Sequence, residues 1–367
     1  MKLRAVCVAL PIHPSECPRE YLSILRSVRR AGESSPLPVW SYRIALKPLR
    51  LLDIDNPESL PGEAYRLVQA SEFSYIALPL TGTVKELKAG ENILFELAFN
   101  LARYRDVFIS INPENLSVNE IPVLARIYLD LLRELSRQDL FETQCQISLV
   151  VNGPIETPYF PSAACLRSQP YLTVCMLYPG RIQEYVEKGL GVEESILKAC
   201  REAEEAARRI CKNASIVFAG VDTSISPWMS DSVVRLMRKL YGDPPLTLYN
   251  VLSLNKSLLN VSGKVRSLGF NEVMLPLAED DLLKEMAGKA LLRVRDLIYL
   301  SLACVAGVDM VPLPKADETA LRRTMEDILA AALIKKRCMG ARLIYSAQDP
   351  ETILELGRFM DVPVPPL

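Results

Sequence analysis

Histidine is nearly missing from the sequence: His13 is the only one in 367 residues. That excludes a multi-histidine zinc site. A Ser-His-Asp triad would have to use His13, and no nucleophile-elbow sequence accompanies it. There is no run of about 18 apolar residues, so no membrane-spanning helix is expected. Residues 1–12 hold too short an apolar run for a secretory signal and read as a strand. There is no basic excess either. The 43 Lys and Arg against 44 Asp and Glu give a net charge of −1, which argues against a nucleic-acid partner. The nine cysteines are odd in number and dispersed, with no C-x-x-C pair. Buried thiols in a reducing, cytoplasmic compartment are expected, not a disulfide framework. Glutamine is scarce, at seven residues, a hint of a thermophilic source in which an intracellular disulfide is admissible. No Gly/Ser-rich linker or internal repeat divides the chain, so residues 1–367 read as one α/β domain.

What is present is a long alternation. Apolar, β-rich runs fall at 3–10, 39–46, 73–80, 106–111, 145–151, 171–177, 215–221, 272–277, 308–313 and 341–345. Most are continuous, as in parallel strands covered on both faces. Between them, Val118, Ile121, Leu124, Tyr128, Leu131 and Leu135 share a helical face. So do Val192, Ile196, Ala199, Ala203, Ala206 and Ile210, and so do Leu321, Met325, Ile328 and Leu329. About ten strands exceed the eight-stranded barrel and call for a larger barrel or a wide doubly wound sheet. Residues 242–265, with two prolines and weak periodicity, read as the least regular region. The basic clusters at 26–30 and 335–337 read as helix ends complementing the dipole.

Three stretches carry a resemblance. They are 151–164 (VNGPIETPYFPSAA), 218–233 (FAGVDTSISPWMSDSV), and the pair 274–283 (MLPLAEDDLL) with 304–314 (CVAGVDMVPLP). In order and spacing they resemble domain-of-unknown-function family 711 (uncharacterised protein family 0210). The resemblance implies a barrel of about ten strands related to the pyruvate formate-lyase-like glycyl radical enzyme fold. The radical machinery is not expected, because the adjacent catalytic cysteines and glycine loop are missing. The chain departs from the family in its glycine-free residues 244–260, in Lys315 after Pro314, and in residues 336–340.

Candidate chemistry centres on Asp222, which ends an apolar run and is followed by Thr223, Ser224 and Ser226. Such a carboxylate can act as base, orient a polar ligand or hold a cation; it can equally bind the amides of its own turn. One of Ser230, Asp231 and Ser232 is expected to cap the next helix, the others being free to meet an anion there. Glu279 and Asp280, with Asp222, are candidate ligands for a divalent cation such as Mg²⁺, or else first-turn acids of a helix over 282–290. Asp309, inside an apolar run, needs a partner or a pocket wall. Cys304, aligned with a family cysteine, is a candidate nucleophile or a buried thiol. Asn152 and Tyr159 lie in a proline-stiffened loop that reads as pocket wall or connector. The resulting expectation is an enzyme acting on a small polar metabolite in a barrel pocket around Asp222. The alternative is a non-catalytic metabolite-binding or regulatory protein derived from one. Expected partners are a small-molecule ligand and copies of the same chain in a homo-oligomer, with neither nucleic acid nor membrane.

Overall fold

The computed structural model describes residues 1–16, 18–305 and 308–367. Cys17, and Ala306 and Gly307 of the third family-like stretch, lie outside the described residues. The strands are β1 (Lys2–Leu10), β2 (Tyr42–Leu46), β3 (Leu49–Arg50), β4 (Tyr75–Thr83), β5 (Val107–Glu114), β6 (Ile147–Val151) and β7 (Tyr171–Leu177). They continue with β8 (Val217–Asp222), β9 (Val311–Leu313), β10 (Met339–Ala341), β11 (Leu343–Tyr345), β12 (Ile353–Glu355) and β13 (Asp361–Pro363). One nine-stranded sheet runs in the order β10-β6-β5-β4-β2-β1-β7-β8, with β3 beside β4. Only the β1–β7 and β10–β6 pairs within it are antiparallel.

The strands alternate in side-chain size, because successive residues face opposite sides of a sheet. Val6, Val8 and Leu10 of β1, Ile44 and Leu46 of β2, and Ile76 and Leu78 of β4 join the main apolar core. Cys7, Ala9, Ala45 and Ala77 form a second cluster on the other face, packed with Ala163, Ala219 and Phe160. Small residues on that face leave room above it. In register, Cys7 sits beside Arg43 and Arg43 beside Tyr75, so the three share this small-residue face. A register shift between Leu3 and Ala5 lies at Arg4.

The expected closed ten-stranded barrel is not formed among the described residues. The edge strands β8 and β10 do not pair with each other, and β9 pairs only with β11. At the β8 edge, residues 267–280 add only single bridges, Val221–Ser267, Ile225–Val273 and Met229–Asp280. Residues 272–277, expected as a strand, supply one of these. Left-handed Asn271 (φ 55°) precedes them and Pro276, which lacks an N–H, interrupts them. No feature of this open sheet supports the likeness to glycyl radical enzymes that the resemblance implied.

Residues 242–265, read as irregular, contain the helix Leu248–Ser262, capped by Thr247, whose Oγ1 accepts from Asn250 N at 3.1 Å. Val251, Leu254, Leu258 and Val261 are buried, but Tyr249, Leu252 and Leu259 are exposed. Apolar residues on both faces blur the period. No described helix is long and apolar enough to cross a membrane.

The helix Val192–Ala214 keeps Ala199, Ala203, Ala206 and Ala207 fully buried, packing against the helix Arg19–Glu33 and strands β7 and β8. Close approach depends on these methyl groups. Ala203→Leu should therefore cost about 1–3 kcal/mol through overpacking, read as a lower urea midpoint with an unchanged slope. An unchanged midpoint would show that the layers are not closely packed there.

Candidate functional site

Asp222, the expected centre of the pocket, is fully buried and is not among the residues lining the arginine-rich cavity described below. Its Oδ1 accepts from Ser224 N (3.1 Å), Ser224 Oγ (2.6 Å) and Asn271 N (3.1 Å). Its Oδ2 accepts from Thr157 Oγ1 (2.7 Å) and Phe270 N (2.9 Å). Burial pushes its carboxyl above the ordinary range, against the pull of these five donors. Gly269, at φ +91°, makes this possible, since a Cβ there would stand 2.1 Å from Asp222 Oδ2. Ser224 Oγ accepts in turn from Glu272 N at 3.1 Å. Asp222 and Ser224 thus form a polar clasp holding loop 269–272 and Thr157 to the end of β8.

The neighbouring expectations resolve in the same way. Ser230 is exposed, in a turn closed by Trp228 and Asp231. Asp231 Oδ1 accepts from Gly180 N at 2.7 Å. Ser232 is the cap of the helix Val233–Tyr241, accepting from Arg235 N at 3.1 Å. The anion at that helix start is the protein's own Asp280, whose Oδ2 accepts from Val233 N (2.9 Å) and Val234 N (3.4 Å). Asp280 Oδ1 also caps the helix Asp281–Gly288 through Leu282 N at 3.0 Å. Asn152 Nδ2 donates to the carbonyls of Ala332 (3.0 Å) and Arg337 (3.1 Å) and is not on the wall of the arginine-rich cavity. Cys304 is buried and also off the wall.

Asp222, Glu279 and Asp280 do not converge as metal ligands. Each engages protein donors, and the described residues contain no group of three or more His, Cys, Asp or Glu that could hold a metal. The basic stretch 335–337 is more than a helix-end complement. Buried Lys335 pairs with Glu272 and donates to the Cys304 carbonyl, and Arg337 meets Glu272 at 2.6 Å.

The enclosed space lies over the small-residue face of the sheet. It is a cavity of about 300 Å³, at the small end for metabolite pockets. Tyr159, Ser226, Glu279 and Asp309, all singled out in the sequence, line it. Arg4, Arg43, Arg342 and Arg358, which sequence reasoning missed, line it too. Three of the four interrupt apolar runs (KLRAV, YRIAL, ARLIY), the same signal that drew notice to Asp309. Eight aromatic side chains, including both tryptophans of the chain, complete much of the wall.

The charges are unevenly matched. Arg4 pairs with Glu279 and donates to Pro227 O (2.5 Å) and Ser226 Oγ (3.2 Å). Arg342 Nη2 reaches Glu279 at 3.2 Å, and its Nε and Nη2 grip Asp309 at 2.5 and 2.7 Å. Arg43 and Arg358 have no carboxylate within ion-pair distance among the described residues. Arg43 is buried and donates to Ser41 Oγ (3.0 Å) and Pro158 O (3.1 Å). Burial, with Arg4 adding to it, lowers its pKa, though a guanidinium stays charged at neutral pH. Arg358, exposed at the mouth, donates to Tyr75 Oη at 2.8 Å. Two buried polar atoms on the wall, Arg4 Nε and Ser148 Oγ, have no partner among the described residues.

The family model described as "Uncharacterised ACR (DUF711)" matches residues 19–347. The chain belongs to the DUF711 family. A UPF0210 protein of Sulfurisphaera tokodaii is 26% identical over 237 residues, covering 59% of this chain and 53% of that protein. One from Pyrobaculum islandicum is 23% identical, covering 60% and 56%. One from Methanocaldococcus jannaschii is 21% identical, covering 88% and 78%. The chain thus spans little more than half the length of the first two DUF711 relatives. Thermophiles are among these sources of DUF711 proteins, in keeping with the scarcity of glutamine.

Two outcomes follow from these networks. Asp222→Asn places an amide among five donors and should destabilise the fold by several kcal/mol, seen as a lowered thermal midpoint; an unchanged midpoint would contradict the clasp. For Glu279, burial works upward but Arg4 and Arg342 outweigh it and hold the carboxyl below its ordinary range. Its stabilisation is therefore present above the unfolded-state pKa and lost as pH falls through the lower folded value. Glu279→Gln should cost about 3–5 kcal/mol at neutral pH and flatten the loss of stability below about pH 4, measured by urea melts across pH.

Proposed function

We propose that this protein binds a small anionic metabolite in the arginine-lined cavity and acts through that binding. One observation carries the reading. Four arginines face the space against two carboxylates, and both carboxylates are already paired with Arg4 and Arg342. Arg43 is left as a buried cation without a counter-charge among the described residues. A buried charge is costly unless compensated, and a carboxylate or phosphate is what a guanidinium fork fits best. Ser148 Oγ and Arg4 Nε, buried and unpartnered on the same wall, offer further hydrogen bonds to a guest.

The regulatory or binding reading is favoured over catalysis by the state of the wall acids, since Glu279 and Asp309 are neutralised by arginines and are poorly placed to act as bases. Catalysis from Asp222, Ser224 or Cys304 has no support from the geometry, because none of them lines the cavity. Of the two functions weighed from the sequence, the metabolite-binding alternative fits better.

An anion that occupies the cavity should raise the thermal midpoint in proportion to the logarithm of its concentration. Arg43→Met should remove that rise while leaving the ligand-free protein as stable as before, or more so, because it deletes an uncompensated buried charge. Arg208→Met, on an exposed helical face, serves as the control. A panel of phosphate and small carboxylic acids in a thermal-shift assay tests this. Equal stabilisation of wild type and Arg43→Met would refute the reading.

A further inference from the structure

We infer that the anion the cavity takes is borne on a flat, unsaturated ring, so that the ligand class is an aryl or heteroaryl acid. This rests on the anion reading and narrows it. The first observation is the composition of the wall, where both tryptophans of the chain, Trp40 and Trp228, stand with six other aromatic residues. Aromatic residues make up 7% of the chain but about a third of this wall. Rings at this density offer faces and edges on which a flat guest can stack, beside the guanidiniums they hold.

The second observation is how the arginines are held. Arg43 Cζ lies 5.2 Å from the Phe160 ring centre and 5.8 Å from that of Tyr75. Arg358 Cζ lies 5.0 Å from Tyr75 and 5.6 Å from Phe108. Tyr75 is thus shared by the two guanidiniums that lack carboxylates. Cation–π contact anchors a guanidinium by its face. Arg43 uses Nε and Nη1 on Ser41 and Pro158, and Arg358 uses Nη1 on Tyr75; the Nη2 donors of both are left for a carboxylate or phosphate. The rings Tyr75, Phe108 and Phe160 meet at tilted or edge-on angles, with centroids 5.6 and 5.7 Å apart. Such rings offer edges and faces to a further flat group in the arrangements aromatic pairs prefer. The same residues therefore set a charge requirement and a shape requirement next to each other.

Because both tryptophans line the cavity, intrinsic tryptophan fluorescence of the full chain reports on it without background from elsewhere. Four probes separate the possibilities: benzoate, cyclohexanecarboxylate, inorganic phosphate and benzylamine. The expected result is a fluorescence change and a rise in thermal midpoint with benzoate, at a concentration at least ten-fold lower than cyclohexanecarboxylate or phosphate requires. Arg43→Met should weaken benzoate at least ten-fold, and benzylamine should not compete. If benzoate, cyclohexanecarboxylate and phosphate act at similar concentrations and all depend on Arg43, the anion reading stands and the preference for a ring is overturned. If benzylamine binds as well as benzoate, or no anion binds at all, the anion reading itself fails and this inference with it.

Discussion

The buried chain of charges Arg4–Glu279–Arg342–Asp309 is the constraint on which the rest of the site depends. It joins β1, the turn before the helix Asp281–Gly288, the segment leading into β9, and the link between β10 and β11. These elements are far apart in sequence, and among them only β9 and β11 are joined by a ladder. Removing Glu279 would leave Arg4, and removing Arg342 would leave Asp309, as a buried charge without its ion-pair partner. The chain of charges also uses up the acidic groups of the cavity wall. What remains unmatched is positive, and it sits at Arg43 and Arg358. The structural role of four residues thereby creates the binding character of two others.

A second network does purely local work. Asp222 draws together loop 269–272 and Thr157, and Asp280 serves the starts of two helices at once. Both are buried carboxylates whose two oxygens each accept from protein donors, an arrangement that fixes backbone, and neither lines the arginine-rich cavity. Their chemistry looked functional in the sequence because strand ends and helix starts are where ligands are usually met. Here the protein supplies its own anion at each place.

Much of the fold was legible. Nine of the ten apolar runs contain strands, and the faces of the helices Ile121–Ser136, Val192–Ala214 and Glu318–Lys335 were visible as stripes of mostly buried residues, except that Val118 is exposed in the turn before the first helix. Those signals are local. The closure of the sheet was not legible, because pairing beyond β8 depends on single bridges and on Asn271 and Pro276. The helix Leu248–Ser262 was obscured by Tyr249, Leu252 and Leu259 on its outer face. The cavity was the least legible part. Its arginines come from positions 4, 43, 342 and 358, and only the register of β1, β2 and β4 brings Cys7, Arg43 and Tyr75 side by side. The donors that satisfy Asp222 from loop 269–272 stand 48 and 49 residues along the chain. One overlooked signal was present: large and small residues alternate in β1, β2 and β4, marking the face that leaves room for a guest.

The most direct measurement is mass spectrometry of the small molecules released on denaturing protein purified without dialysis, run beside the Arg43→Met variant. The account predicts a stoichiometric acid in the wild type and its loss from the variant. A retained molecule that is neutral or cationic, or an acid held equally by both proteins, would contradict it.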